Sequence, residues 1–466
     1  MQSLAASGRF ASKDLARFAQ FIEQSPDEAL YRMSPYGYAQ REGITAREAT
    51  DLFLHATHAG VLEFSWGVVC PACGWFLTTP SALRSLSHRF CQLCEVPIET
   101  RLDDNVEIAF TVSPQVRRIT YHSPPGGKFD LKTARQIYSP SLVPPEGMHE
   151  VITRALRWDG EIPPGGQVEL PMDVAGHFAL MVPAHHAVTR IHVDPACTEQ
   201  TVQTDLVNGH FVPRALRVSP GGRLIVTNRQ LSGVANAGLY SDILRDRFED
   251  ASHVFAAETK LRRFLTGKEL VTAQAFQELF RAESLPSDGG LELKSVTLVF
   301  TDLKGSTELY QRVGDLRAYG LVREHFGVLR EAVAARGGGI VKTIGDAIMA
   351  SFPEPLAALE SAAAMHQRIA QMNGDLSLKI GLHSGPCIAV ELNERLDYFG
   401  QTVNIAARVQ GVAGANETVT TDAVLGTPGA QGAIDGSGWA ATSEQVALKG
   451  IDGLYPVHRL RRAGAA

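Results

Sequence analysis

Two strand-like runs in the last third of the chain each meet an aspartate, and this arrangement limits the folds that the chain can adopt. The first run, 296–301, ends at Asp302 and is followed by small residues that favour a turn. The second run, 340–352, is divided by Gly345-Asp346, as in a tight hairpin. If the first strand pairs beside this hairpin, both carboxylates lie close together. The pattern predicts a sheet with two acids near one end.

Two neighbouring carboxylates of this kind suit a pair of divalent ions. In two-metal sites the ions lie about 3.5–4 Å apart, activate an attacking oxygen and stabilise a departing pyrophosphate. Oxygen ligands combined with phosphate favour Mg²⁺ or Mn²⁺. We therefore expect Asp302 and Asp346 to hold two such ions in each active site.

A third motif follows these strands and has helical character. From Gln401 onward the sequence is compatible with a helix, which would place Asn404 and Arg408, four residues apart, on one face. Two such side chains on one face can hold a single substrate.

These motifs make the segment from about 293 to about 460 resemble the catalytic domain of class III adenylyl cyclases. The resemblance implies a ferredoxin-like α/β unit with a mostly antiparallel sheet and helices on one face. Helices are expected at 316–336 and 356–372. It also implies a homodimer, in which the metal-binding acids come from one subunit and the base-reading and transition-state residues from the other.

The resemblance also assigns roles to individual positions of this chain. Motif by motif, these roles are metal binding by Asp302 and Asp346, adenine reading by Lys342 and Asp397, and ribose and transition-state contacts by Asn404 and Arg408. Lys449 matches the triphosphate-binding lysine, although Leu448-Lys449-Gly450 is a short and common string. The chemistry implied is conversion of ATP to 3′,5′-cyclic AMP and pyrophosphate.

The choice of base also has a physical argument that does not depend on the family. Adenine presents a ring-nitrogen acceptor beside an amine donor, so a lysine donor and a carboxylate acceptor complement that edge. Guanine presents the reverse polarity. Lys342 and Asp397 therefore favour ATP over GTP.

Four of the six cysteines form two close pairs in the first hundred residues. Cys70-Pro71-Ala72-Cys73 and Cys91-Gln92-Leu93-Cys94 have the spacing of a four-thiolate structural zinc site. The alternatives are a redox pair or two unrelated turns. Four thiolates leave no open coordination position, so this metal is expected to be structural rather than catalytic.

The remainder of the chain divides by pattern into further segments. Thr45 and Glu48 form a capping box before a helix and a strand, an order that resembles a winged-helix module. The divisions predicted are winged-helix-like 1–66, zinc ribbon 67–102, β-rich sandwich or barrel 103–230, helical connector and linker 231–292, and cyclase domain 293–466. Residues 1–292 also resemble a domain of unassigned function found ahead of some bacterial cyclase domains, and we expect them to regulate the enzyme through a ligand or partner protein.

Composition excludes some other classes of protein. The formal charge of −6, with few basic residues near the cysteines, argues against nucleic acid as a partner. No run approaches the 18–20 apolar residues of a membrane helix and no signal peptide is evident, so a cytoplasmic protein is expected. Two alternatives stay open: a catalytically weak nucleotide-sensing relative of the cyclases, or a regulator built on the zinc ribbon and winged helix.

Overall fold

The structure is a computed structural model of the chain. It describes residues 2–6, 8–78, 89–126, 130–231, 233–241, 260–280, 290–305, 311–312, 314–372, 377–392 and 395–462. The predicted turn residues Ser306 and Thr307, and much of the connector at 242–259 and 281–289, lie outside the described residues.

The first part of the chain packs four helices against a small sheet. The helices are α1 (Gln2–Ala6), α2 (Ser12–Gln24), α3 (Pro35–Glu42) and α4 (Ala46–His58). The predicted capping box at the start of α4 is confirmed: the Thr45 side chain accepts from Glu48 N, and the Glu48 carboxylate accepts from Thr45 N at 2.8 Å. The strands are β1 (Leu62–Val69), β2 (Phe76–Thr78), β3 (Arg89–Cys91), β4 (Val96–Ile98) and β5 (Val106–Val112).

The strand β5 joins the N-terminal sheet. It pairs antiparallel with β1, and the sheet order is β2-β1-β5, while β3 and β4 form a separate pair. The predicted β-rich segment 103–230 is therefore wrong at its start. A short apolar run indicates a strand, but the strand with which it pairs depends on distant residues.

The middle of the chain forms two sheets that share one apolar core. Their orders are β13-β10-β9-β15-β7 and β12-β11-β14-β8. The elements are α5 (Leu131–Ile137), β6 (Leu142–Val143), α6 (Met148–Ala155), β7 (Leu156–Ile162), β8 (Gln167–Met172), β9 (Gly176–Val182), β10 (Ala187–Val193), β11 (Thr201–Val207), β12 (His210–Val212), β13 (Ala215–Val218), β14 (Gly222–Asn228) and β15 (Ala235–Ser241), with 3₁₀ turns at Asp27–Ala29, Thr120–His122 and Pro183–His185.

The prediction that 231–292 is a helical connector is wrong at its start. Residues Ala235–Ser241 form β15, which pairs with β7 and β9. Ala235, Ala237 and Leu239 are buried at alternate positions, and a short apolar run of this kind does not distinguish a strand from a helix. Described helices of this segment come later, after β16 (Lys260–Leu261): α7 (Gly267–Val271) and α8 (Gln274–Leu279).

The C-terminal part is one eight-stranded sheet with the order β18-β19-β17-β20-β22-β24-β23, and β21 pairs with β20. Among the described strands of this sheet, only β20 and β22 pair in parallel, so the expectation of a mostly antiparallel sheet is confirmed. The elements are β17 (Leu291–Lys304), α9 (Asp315–Ala334), β18 (Gly339–Ile344), β19 (Ala347–Phe352), α10 (Pro355–Met372), β20 (Ser377–Leu392), β21 (Arg395–Phe399), α11 (Gln401–Gly411), β22 (Glu417–Thr420), α12 (Asp422–Leu425), α13 (Ala430–Gly436), β23 (Trp439–Ala447) and β24 (Leu454–Arg462).

Helices cover both faces of this sheet, not one as expected. Helices α9 and α10 share a core with Val299 and Leu382 on the first face. Because strand side chains alternate, Leu298 and Phe300 point to the opposite face. There they belong to the same core as Ala406 of α11 and Phe276 of α8. The N-terminal half therefore contributes to the packing of the second face.

Candidate active site

The pairing that would bring the two predicted metal-binding acids to one end of the sheet is present. Strand β17, which carries Asp302, pairs antiparallel with β19 of the β18–β19 hairpin. Asp346 lies in the turn of that hairpin after Gly345, whose φ of +64° favours glycine. The Thr301 hydroxyl accepts from Ile348 N at 3.2 Å and links the strand to the hairpin just beside the two acids.

The two carboxylates have unsatisfied capacity for a cation. Oδ2 of Asp346 is buried and has no hydrogen-bond partner. Asp302 is paired with Lys379 at 3.6 Å, and its side chain is 37% exposed. A buried, unpaired carboxylate oxygen is costly in a dry site, whereas a divalent ion bound by oxygen ligands satisfies it. The donor set therefore fits Mg²⁺ or Mn²⁺.

Two residues near these acids were not found from the sequence. Lys379 on β20 faces Asp302 across the β17–β20 pair. His325 on α9 is fully buried, and burial lowers its pKa to about 4, although the nearby Asp346 partly opposes this. Both lie on elements distant in sequence from the motifs, and no local pattern marks them.

The predicted base-reading pair is assembled within the chain. Lys342 on β18 and Asp397 on β21 form an ion pair with Nζ and Oδ2 2.5 Å apart. The other oxygen of Asp397 accepts from Tyr398 N at 2.8 Å. Asp397 is almost fully buried, while the Lys342 side chain is 41% exposed, so the pair presents its lysine to a ligand.

Asn404 and Arg408 lie on one face of α11, as predicted. Thr402, Ile405 and Val409 are buried on the opposite side of this helix, and Asn404 is exposed. Among the residues described, neither Asn404 nor Arg408 has a side-chain hydrogen bond or ion pair. Both side chains are therefore available to a ligand.

The predicted triphosphate-binding lysine lies near Arg408. Lys449 is exposed in the turn that joins β23 to β24. A Cβ placed on its neighbour Gly450 would lie 3.4 Å from Nη2 of Arg408. Within the described residues, no hydrogen bond or ion pair links Arg408 or Lys449 to Asp302 or Asp346. These residues therefore form two sets in the chain, one around Arg408 and one around the two acids.

Helix α8 forms a wall beside Lys342. A cleft of about 280 Å³ is lined by Lys342 and Leu396 on one side and by Phe276 and Phe280 on the other. The Gln274 side chain accepts from Ile340 N at 2.8 Å, two residues before Lys342. This hydrogen bond covers the edge of strand β18.

The four paired cysteines come together as predicted. The sulfurs of Cys70, Cys73, Cys91 and Cys94 all lie within 4.8 Å of one another, and Cys94 N donates to the Cys91 sulfur at 3.4 Å. The Zn–S distance of about 2.3 Å in tetrahedral zinc sites is compatible with this spacing. The donor set therefore fits zinc.

Comparison with known proteins gives matches to both halves of the chain. Residues 5–278 match a family of unknown function, DUF5939, and residues 291–429 match the adenylate and guanylate cyclase catalytic domain. None of the helices among the described residues is long and apolar enough to cross a membrane.

Individual relatives are similar over part of their length. The chain is 29% identical over 199 residues to the "pH-sensitive adenylate cyclase MT1302" of Mycobacterium tuberculosis, covering 43% of this chain and 48% of that protein. It is 32% identical over 193 residues to an adenylate cyclase of Mycosarcoma maydis, covering 34% of this chain and 8% of that protein. The chain thus spans less than half of the length of these relatives.

A solved structure, the adenylyl cyclase CyaB from P. aeruginosa, is 22% identical, covers 36% of this chain and 93% of that chain, and has a TM-score of 0.31, which carries no argument about function. The matched residues extend over more than half of the chain for the first family and over the site residues from Asp302 to Arg408 for the second domain. The chain belongs to the DUF5939 family, whose function is unknown, and carries an adenylate and guanylate cyclase catalytic domain in its C-terminal part.

Proposed function

We propose that the chain is an adenylate cyclase that converts ATP to 3′,5′-cyclic AMP and pyrophosphate. The observation that carries the proposal is the ion pair of Lys342 and Asp397, held in place by the backbone of Tyr398. A lysine donor beside a carboxylate acceptor complements adenine. The two relatives described above are named as adenylate cyclases, which agrees with this choice of substrate.

Binding of adenine requires the pair to exchange its internal bond for bonds to the base. Lys342 Nζ would donate to the ring nitrogen, and Asp397 would accept from the amine. Since Asp397 keeps its bond to Tyr398 N, its carboxylate stays oriented while Oδ2 changes partner. With guanine, the Lys342 donor would face a donor and the Asp397 acceptor would face an acceptor, so both would lack hydrogen bonds in a partly buried site.

Asp302 and Asp346 would hold two Mg²⁺ or Mn²⁺ ions in this proposal, through the oxygens described above. When bound, such ions lower the pKa of an attacking hydroxyl and offset charge on phosphate oxygens. Lys379 would then lose its bond to Asp302 or share that carboxylate. His325, neutral because its pKa is low, packs beneath the site without adding charge.

The remaining residues would act on the sugar and phosphates. Asn404 would orient the ribose, and the guanidinium of Arg408 would donate to phosphate oxygens as charge develops on them. Lys449, next to Arg408, would bind the triphosphate. We infer that a homodimer joins the Asp302–Asp346 set of one subunit to the Arg408 set of the other.

A direct assay tests the reaction. Purified full chain is incubated with MnATP or MnGTP, and cyclic nucleotide and pyrophosphate are measured. We expect cyclic AMP with a strong preference for ATP. Nucleotide binding without either product would instead support the nucleotide-sensing alternative, and no binding at all would overturn both.

Mixing two inactive variants tests the composite site. Asp302→Ala and Arg408→Ala each remove one set of residues, so in the mixed dimer one interface keeps a complete set. We expect partial recovery of cyclase activity on mixing. Subunit exchange without any recovery would show that each active site is built within one subunit.

We also propose that the N-terminal half regulates the site through α8. Rings of Phe276 and Phe280 pack edge-on against Phe64 of β1, with centroids 6.4 and 5.2 Å away. The same helix bonds to Ile340 N on the strand of Lys342. A displacement of β1 would therefore move α8 through these ring contacts, and α8 would in turn move the strand that carries Lys342.

The Cys cluster is proposed to bind a structural zinc ion. Its loop is fixed to β10, because Gln92 accepts from Val188 N at 3.1 Å and Arg190 donates to Leu93 O at 2.6 Å. Thiolate ligands need a reducing compartment, so we place the chain in the cytoplasm. We expect about one zinc per chain by elemental analysis, and Cys70→Ser to lower solubility or folding. Metal-free protein with unchanged melting would contradict a structural role.

We also propose that the N-terminal half comprises a winged-helix-like segment at 1–66, a zinc ribbon at 67–102 and a β-sandwich-like segment. The strands of that last segment run from β7 to β15 instead of over 103–230. The two sheets with a shared core in the middle of the chain support the last of these.

A further inference from the structure

A large cavity lies far from the cyclase motifs, between the N-terminal sheet and the two middle sheets. It has a volume of about 950 Å³. Tyr31, Trp75, Phe76 and Tyr121 supply aromatic surface to its wall. Cavities of this size, with aromatic walls and a few polar groups, are typical of sites for small organic molecules.

The wall of this cavity carries basic side chains and no acidic ones among its described residues. Among its described lining residues there are two arginines, Arg32 and Arg214, and four histidines, but no aspartate or glutamate. The chain as a whole carries more acidic than basic residues, 50 against 44. A cavity without a carboxylate favours an anionic ligand.

Two buried side chains of the wall have a polar atom without a partner. Nη1 of Arg32 and Oε1 of Gln136 both lack a hydrogen bond, and these residues are 8% and 7% exposed. The amide nitrogen of Gln136 donates to Tyr121 O and Ser123 O at 3.2 and 2.5 Å, which fixes the orientation of this amide. Both residues line the cavity, and each has one polar atom without a partner, a donor in Arg32 and an acceptor in Gln136. Unpaired polar atoms are rare in groups so deeply buried.

Arg32 is held rigidly in this position. Its guanidinium carbon lies 4.3 Å from the ring centre of Phe76 and 5.1 Å from that of Tyr31. The backbone at Arg32 has a φ of +47°, an uncommon and strained conformation for a residue with a Cβ. Strained conformations of this kind are found at binding sites, where the fold compensates for them.

The nearest buried acid does not use the free donor. Glu107 accepts from the hydroxyls of Ser139 and of Ser141, the latter at 2.7 Å. Its charge partly opposes the effect of burial, which lowers the pKa of Arg32. In the described contacts no hydrogen bond joins the two side chains, so Arg32 keeps a donor for a ligand.

We propose that this cavity binds a small organic anion with a planar ring, whose carboxylate or phosphate group pairs with Arg32. The planar guanidinium donates to two oxygens of such a group at once, and an N–H or O–H of the ligand donates to Gln136 Oε1. Arg214, which is exposed, attracts the anion at the mouth. The aromatic side chains pack on the ring.

Arg32 also borders a smaller cavity of about 370 Å³, on the side of Arg135 and Arg262. Gln136 lines the larger cavity and is not among the described residues that line the smaller one. The proposal therefore places the ligand in the larger cavity. Variants at Arg214 and Arg262 distinguish the two positions.

The test uses the full chain and three probes of nearly equal size by isothermal titration calorimetry: 6-hydroxy-2-naphthoate, 2-naphthyl phosphate and the neutral 6-hydroxy-2-naphthamide. We expect at least one anion to bind with a dissociation constant at or below about 1 mM, and the amide to bind at least tenfold more weakly. The carboxylate and phosphate arms show which acid group the site prefers. Equal binding of the amide, or no binding by either anion, would overturn the proposal.

Variants then locate the binding. Arg32→Met keeps the apolar stem and should weaken the anion at least tenfold, and the exposed Arg214→Glu should do the same even if Arg32→Met fails to fold. Arg262→Gln, in the smaller cavity, and Arg118→Gln, exposed outside both cavities, should bind as the unaltered chain does. Anion affinity that survives Arg214→Glu, or that is lost only in Arg262→Gln, would contradict this site.

Discussion

The two faces of the eight-stranded sheet are covered in different ways. The first face packs only against helices of the C-terminal part, and the described residues of its core all come from 299–439. The second face shares its core with residues from the N-terminal half, including Leu52, Trp66 and Phe276. The first face stabilises the catalytic segment by itself, whereas the second depends on the rest of the chain.

This difference matters because Lys342, which we propose reads the base, lies at the border of the second face. Lys342 is on the edge strand β18, next to α8. Lys268 of α7 pairs with Asp103 at 3.1 Å, and Asp103 also accepts from Lys294 N at 2.8 Å at the start of the sheet. Polar and apolar contacts thus join the two halves along this border.

Removal of one large ring from each face gives the largest effect. Phe276 is 2% exposed and Phe352 is fully buried. Phe276→Ala and Phe352→Ala should each lower the free energy of unfolding by about 3–5 kcal/mol. If the second face is a shared core, Phe276→Ala also lowers the temperature at which nucleotide binding by the C-terminal part is lost.

Calorimetry with a nucleotide-binding readout measures both effects. Tyr319→Ala is the control, because Tyr319 is 61% exposed on α9 and should change stability by less than about 0.5 kcal/mol. An unchanged C-terminal transition in Phe276→Ala would show that the two halves unfold independently and that the second face is not a shared core.

Exchange of the base-reading pair should change substrate preference strongly. Unpaired buried polar groups cost about 1–3 kcal/mol each, so Lys342 and Asp397 together would give a preference for ATP of roughly a hundredfold or more. Lys342→Glu with Asp397→Cys should depress ATP turnover and raise the relative use of GTP. Dependence on Mg²⁺ or Mn²⁺ should persist, because Asp302 and Asp346 are unaltered. An unchanged ATP:GTP ratio would remove the main support for these two residues as base readers.

Acid should weaken the first face through a half-buried histidine. Burial lowers the pKa of His366 on α10 from 6.5 to about 4. Because the unfolded chain binds this proton more tightly, the stability contributed is complete above about pH 6.5. It declines as the pH falls towards 4, by about 2 kcal/mol at pH 5.

The variant His366→Gln isolates this effect. Glutamine can retain a bond to Thr418 Oγ1, which lies 2.9 Å from His366 Nε2, but it does not titrate. Urea unfolding at pH 7 and pH 5 should show a smaller loss of stability in the variant than in the unaltered chain. The same pH dependence in both proteins would mean that His366 is not responsible.

Sequence patterns predicted the catalytic elements well because their signals are local. The helix that carries Asn404 and Arg408, and the turn at Gly345, follow from periodicity and turn chemistry within about a dozen residues. By contrast, the bond from Ile340 to Gln274 joins residues 66 apart. No local pattern indicates such a contact, and the same limit explains why Lys379 and His325 were missed.

In the N-terminal half, the local sequence patterns are present but do not distinguish a helix from a strand. The run that contains Leu239 has enough apolar residues for either a helix or a strand, and its pairing with β7 and β9 decides between them. The sequence does not indicate that Nη1 of Arg32 lacks a hydrogen-bond partner, because Phe76 and Gln136 approach Arg32 only in the folded chain. Cavities depend on such tertiary contacts.

Loss of the two hydrogen bonds of the Gln274 side chain, at the border between the halves, should give the smallest effect. Gln274 Oε1 accepts from Ile340 N, and Gln274→Leu would leave that backbone donor without its partner at a cost of about 1–3 kcal/mol if water does not reach it. We expect about a fivefold rise in KM for ATP with little change in kcat, because β18 would hold Lys342 less firmly while Asp302 and Arg408 are unaffected. Gln431→Leu is the matched control for the bond from Gln274 Nε2 to Glu278, because Gln431 Nε2 likewise donates to Asp435, four residues on, on the exposed side of α13. Steady-state kinetics of both variants measure the difference, and equal KM values would show that α8 does not position the base-reading strand.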